Sequence, residues 1–123
     1  MMNAIKEEAK AIREKITGWR RDFHRHPELS FKEFETTKAI ARILDEAGIH
    51  GYKIGVSGVP TGLVVDIKGQ RGPGKCVALR ADIDALPVQE ENNVSYKSEA
   101  DGIMHACGHD AHAAMLLGAA LLM

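Results

Sequence analysis

The feature that most constrains this chain is its last segment. Residues Ala111–Met123 are alanine, methionine, leucine and glycine, with His112 the one polar side chain among them. Alanine, leucine and methionine favour helix, and a helix apolar on every side is expected to be buried on every side. The sequence stops inside this helix, with no glycine after it and no basic residue in its last turn, whereas helix ends are usually marked by such residues. The expectation is a fragment of something longer, or a chain that borrows a partner to cover the helix.

Directly before it, His105-Ala-Cys-Gly-His-Asp-Ala-His112 gathers three of the six histidines, one of the two cysteines and an aspartate. Thiolate and imidazole are the usual ligands of zinc-like ions. The spacing of Cys107 and His109 lets two ligands converge where the backbone turns sharply, and Gly108 between them permits that turn. Asp110 can orient an imidazole or cap the helix that follows. The alternative is a structural cysteine among surface histidines, and the local density of ligands weighs against it. A second polar cluster, Arg80-Ala-Asp-Ile-Asp-Ala-Leu-Pro87, follows an apolar run. Acidic side chains at the carboxyl end of a strand lie where α/β sheets bind ligands. Asp82 and Asp84 equally suit capping the turn that Pro87 ends.

Upstream the chain alternates helix and strand signals. Ile5, Ala9, Ile12, Ile16, Trp19 and Phe23 make one apolar stripe, predicting a helix over residues 4–26 that Pro27 stops. Ser30 and Glu33 form a capping-box pattern, and Leu29 with Phe34 has the spacing of a hydrophobic staple. The helix they introduce runs to about Ala47 on Phe34, Thr37, Ala41 and Leu44, with Gly48 as its C′ residue. The period then changes. Tyr52–Val56 and Leu63–Lys68 read as strands around the turn Ser57–Gly62, and after the loop Gly69–Gly74, Cys76–Ala81 reads as a strand buried on most sides. The order predicts an α/β or α+β layered domain.

Composition narrows the function classes. The chain has 123 residues, 45% hydrophobic and 27% charged, with a net charge of −1, so nothing electrostatic points to nucleic acid or an anionic membrane. No apolar run is long enough to span a bilayer. The mixed-charge start Met1–Lys10 lacks a signal region, and two cysteines make no disulfide framework, which together predict a cytoplasmic protein.

Three stretches carry a resemblance: Trp19-Arg-Arg-Asp-Phe-His-Arg-His-Pro-Glu-Leu-Ser-Phe31, Leu79-Arg-Ala-Asp-Ile-Asp-Ala-Leu-Pro87 and Met104-His-Ala-Cys-Gly-His-Asp110. In order and spacing they resemble successive motifs of a metal-dependent amidohydrolase and metallopeptidase family. That family includes hippurate hydrolases, N-acyl-amino-acid hydrolases and auxin-conjugate hydrolases, and it is related to carboxypeptidase G and the aminoacylases. The resemblance covers nearly the whole chain. It implies an α/β, zinc-peptidase-like catalytic domain, of which residues 1–123 are the N-terminal portion. The rest of that domain and an inserted lid or dimerisation domain are absent. It also implies two divalent metal ions, zinc or manganese foremost, with cobalt and nickel as alternatives. Cys107 and His109 match the first metal ligands, with the cysteine between the ions. Asp84 matches a supporting aspartate, and Asp82 lies where distant relatives place a histidine ligand, which leaves its role open. His105, Asp110 and His112 match motif positions in supporting or structural roles, and the pair His24 and His26 reads as structural.

The reaction implied is hydrolysis of the amide bond of an N-acyl amino acid through a metal-activated water. The general-base glutamate is expected beyond Met123, so this chain should hold no catalytic residue. It is expected to be inactive alone, to self-associate and to bind no metal, or one ion weakly. The alternative is a non-catalytic truncated chain that folds with copies of itself or with a partner. Thiol redox chemistry by Cys76 and Cys107 is disfavoured, since no Cys-x-x-Cys motif exists.

Overall fold

The computed structural model describes residues 1–123. Four helices dominate: α1 (Met2–Ala11), α2 (Arg13–Arg25), α3 (Phe34–Glu46) and α4 (His109–Leu122). A two-stranded antiparallel ribbon, β1 (Lys53–Ile54) with β2 (Leu63–Val64), pairs Lys53 with Val64 and Ile54 with Leu63. Between its strands a tight turn at Val56–Gly58 reverses the chain.

The helix expected over residues 4–26 is two helices broken at Ile12, which leaves helical dihedrals at φ −100° and ψ 5°. The apolar stripe is continuous in sequence, but its burial is not. No residue of α1 is buried, and Ile5 is 51% exposed. In α2 the stripe meets a partner, since Phe23 is buried with Ile16 and Trp19 packed beside it.

The start of α3 differs from the expected capping box. Its N-cap is Glu33, with no side-chain bond from Ser30. Glu28 reaches over instead: one carboxylate oxygen accepts from the Glu35 N–H at 3.0 Å, the other from the Thr36 N–H and hydroxyl, both at 2.7 Å. Glu33 is buried and accepts from the Thr61 hydroxyl at 2.6 Å. Phe34, the far half of the expected staple, is 45% exposed. The other end follows expectation, because Gly48 takes a φ of 73° and the Ile49 N–H bonds the Leu44 carbonyl. That six-to-one bond is the Schellman closure.

Residues Cys76–Ala81 form no strand, and residues 76–80 are exposed, with Val77 at 77%. A strand exists only where a neighbour completes its hydrogen-bond ladder, and the one sheet here is the β1–β2 ribbon. The core is correspondingly small. Phe23, Ile40 and Leu44 pack against Ala113, Ala114 and Leu117, so α4 buries one face between α2 and α3. The expectation that α4 is covered on all sides is therefore corrected: Met115 is 56% exposed.

Candidate functional site

The site forms where the stretch after residue 81 meets the start of α4. Two isolated bridges hold that stretch: Leu29 beside Ala85, and Leu86 beside Met104. The Ala85 N–H donates to the Glu28 carbonyl at 2.8 Å, and Leu86 and Met104 exchange bonds of 2.9 and 3.0 Å. These bonds set Asp84 opposite His109. Gly108 makes the turn between Cys107 and His109, holding φ at 98°, a left-handed conformation that costs side-chain-bearing residues. The expected sharp turn at Gly108 is present.

His109 Nδ1 lies 2.9 Å from an Asp84 carboxylate oxygen and 3.1 Å from its carbonyl. Two acceptors at one nitrogen fix the proton there, which leaves the Nε2 lone pair of the neutral ring free. A carboxylate holding an imidazole this way is the usual support behind a metal-bound histidine. The Cys107 thiol, two residues earlier, is exposed. Asp82 Oδ2 is 4.0 Å from His109 Nε2. Asp82 is paired with Arg80, whose Nη2 is 2.8 Å away, and the hydrogen bond and charge of that guanidinium hold its carboxyl below the usual range. His112 stands one turn along α4, its ring centroid 6.1 Å from that of His109. The donor chemistry, one thiol and one oriented imidazole, suits a borderline-soft divalent cation. No three His, Cys, Asp or Glu side chains converge closely enough to enclose one.

Behind this face lies a buried polar network. Asp110, 1% exposed, is ion-paired at Oδ2 with Arg20 Nε at 2.9 Å and faces His24 Nδ1 at 2.7 Å. His24, 3% exposed, reaches Glu90 Oε1 at 3.0 Å with its other nitrogen. Both nitrogens can donate to carboxylates only in the imidazolium form. Glu90 also accepts from the Ser98 N–H at 2.6 Å and from Asn92 at 3.2 Å. Burial alone would raise the Glu90 pKa, but these bonds and His24 outweigh it and bring it down to about 2. His105 is buried without a hydrogen-bond partner at either nitrogen. Burial pushes its pKa down, against the opposing pull of Asp110.

The structure thus brings together Asp82, Asp84 and His109, places His112 on the turn beyond, and puts Asp110 and His105 behind them. His24 lies in the buried network, between Asp110 and Glu90. Arg20 and Glu90 were not anticipated. Arg20 and His24 stand four residues apart beside the apolar stripe of α2, a spacing that puts both on one helix face. Glu90 sits in the polar run Gln89-Glu-Glu-Asn-Asn93, where nothing distinguishes a buried carboxylate from a solvated one.

Compared with known proteins, this chain is similar to a class of hydrolases that includes a carboxypeptidase and an N-acetylcysteine deacetylase. Residues 78–123 match Peptidase family M20/M25/M40. The chain is 50% identical to thermostable carboxypeptidase 2 of Saccharolobus solfataricus, over 100% of this chain and 30% of that protein. It is 50% identical to an N-acetylcysteine deacetylase of Bacillus subtilis, over 93% of this chain and 29% of that protein. The crystal structure of a dinuclear metal-binding peptidase of the same family, also from Bacillus subtilis, superposes with a TM-score of 0.84 at 50% identity, over 92% of this chain and 31% of that one. Residues 78–123 thus match this peptidase family, and the chain spans about 30% of the length of the curated relatives it is similar to.

Proposed function

We propose that residues 1–123 are the N-terminal portion of the catalytic domain of a metal-dependent amidohydrolase whose substrates are N-acyl amino acids. Cys107 and His109 are its first metal ligands. The observation that carries this reading is the bond from His109 Nδ1 to Asp84, which leaves Nε2 free on a residue two positions from the exposed thiol of Cys107. The names of the relatives support the substrate class, as deacetylation of N-acetylcysteine is cleavage of an N-acyl amino acid.

Within this chain, Asp84 holds the His109 proton on Nδ1 and fixes the ring plane. Cys107 supplies a thiolate, which favours zinc over manganese. When bound, divalent ions would supply Lewis acidity and a nucleophilic water at neutral pH. His112, on the turn beyond His109, and Asp82, a carboxylate held by Arg80, border the same face. The general base and the remaining ligands would come from polypeptide outside these residues.

The test is a chimera in which this chain replaces the matching part of the Bacillus subtilis N-acetylcysteine deacetylase. It should cleave N-acetylcysteine, and Cys107→Ser or His109→Ala should abolish turnover. Undiminished turnover in either variant would overturn the ligand assignment. The isolated chain, given zinc or manganese, should cleave neither hippurate nor N-acetyl amino acids.

A further inference from the structure

The start of α4 carries His109, so the rotation of α4 about its own axis decides where that imidazole points. Apolar packing fixes the rotation poorly. The buried face of α4 is Ala113, Ala114, Leu117 and Gly118, while the exposed side offers Met115. Beyond His112 every face of this helix is alanine, leucine, methionine or glycine. Hydrophobic burial is non-directional, so it discriminates weakly between such similar faces. A slip of one residue would swing His109 by roughly 100°.

Two features break this near-symmetry. One is steric: a Cβ on Gly118 would fall 2.6 Å from Ile16 Cδ1, so the Ile16 side chain of α2 fills the space a side chain at position 118 would need. The other is polar. The Asp110 carboxylate is buried, and at the observed rotation its Oδ2 meets Arg20 and His24, while Oδ1 has no hydrogen-bond partner. Any other rotation would leave a buried charge uncompensated, which costs far more than exchanging one apolar face for another. A single buried polar contact that fixes register among interchangeable apolar positions is known from coiled coils.

The segment between Asp84 and Glu90 closes the arrangement. Its first residue receives His109 and its last receives His24, so one stretch of chain grips α4 directly and through α2.

We infer that the buried Arg20–Asp110–His24–Glu90 network sets the rotation of α4, so that His24 and Glu90 are positioning residues for the His109 and Cys107 pair. As a role toward metal it rests on the reading proposed above. As a statement about His109 it is testable without metal.

The experiment is nuclear magnetic resonance of the chain with ¹⁵N-labelled histidine, metal-free and above neutral pH, using long-range correlations that report which ring nitrogen bears the proton. In the wild type His109 should be a single Nδ1–H tautomer. In His24→Ala and in Glu90→Gln that single tautomer should be lost to a mixture with the Nε2–H form, which free imidazole side chains prefer. Ile40→Val loosens the core away from the network and should leave the His109 tautomer unchanged. If His24→Ala does not fold, Glu90→Gln decides alone, because it alters charge and not shape. Retention of the single tautomer in Glu90→Gln, a mixture already in the wild type, or an equal loss in Ile40→Val would each overturn the inference. Metal titration of the wild type tests the ligand assignment separately. Metal bound by the chain through groups other than Cys107, with the tautomer lost in His24→Ala, would sink that assignment and leave the register lock standing.

Discussion

His109 has two ring nitrogens, and Asp84 decides which one carries the proton. Removing that acceptor should let the ring turn and its tautomer mix. Asp84→Ala should therefore weaken zinc binding by about 10–100-fold, the usual cost of losing a partner behind a metal-bound histidine. Asp84→Asn keeps an oxygen acceptor and should lose less. Competition with a chromophoric chelator measures both, and equal affinity in wild type and Asp84→Ala would count against the role. Glu90 makes a second prediction, in pH. Its carboxyl titrates at about 2 in the folded chain, below its ordinary 4.5. The stability it contributes is thus fully present above the ordinary value and is lost as pH falls through 4.5 toward about 2. Melting temperatures of wild type and Glu90→Gln should differ most above about pH 5 and converge toward the acid end. A gap independent of pH would contradict this. Cys107 and His109 stood out in the sequence as candidates because ligand types cluster within short spacings, and Asp84 stood out through the resemblance. Glu90 did not, because its partner His24 lies 66 residues away.

Local signals predicted the helices better than the strands. An α-helix closes its hydrogen bonds within itself, so α3 and the end at Gly48 could be read from periodicity and capping. Cys76–Ala81 has strand chemistry but no adjacent ladder, and a pattern in one segment says nothing of its neighbour. The start of α3 shows the same limit, since Glu28 takes the place of Ser30 by reaching across a turn. Glu28→Ala should cost about 1 kcal/mol, the scale of a lost cap, whereas Ser30→Ala should be near neutral. Equal losses in chemical denaturation would restore the capping box. In α4, Gly118→Leu should destabilise by about 1–3 kcal/mol as an overpacked contact against Ile16. An unchanged denaturation midpoint would mean that the Ile16 side chain, 2.6 Å from where a Cβ on residue 118 would lie, gives way without cost.

At the scale of the molecule, 18 of 123 residues are buried, which leaves much apolar surface in water. Val77 and Leu79 alternate along an unpaired segment, and Met115 lies open on α4. Such surfaces and unpaired backbone attract further chain. The isolated chain should self-associate at concentrations on the order of tens of micromolar, and a well-behaved monomer by light scattering would count against it. No helix is long and apolar enough to cross a membrane. The central claim, that Cys107 and His109 are metal ligands, is tested most directly by titrating the purified chain with cobalt(II) and following the thiolate-to-metal absorption band. The account predicts a band that saturates weakly at one ion per chain and disappears in both Cys107→Ser and His109→Ala. Cobalt bound with no such band, or a band unchanged by either substitution, would contradict it.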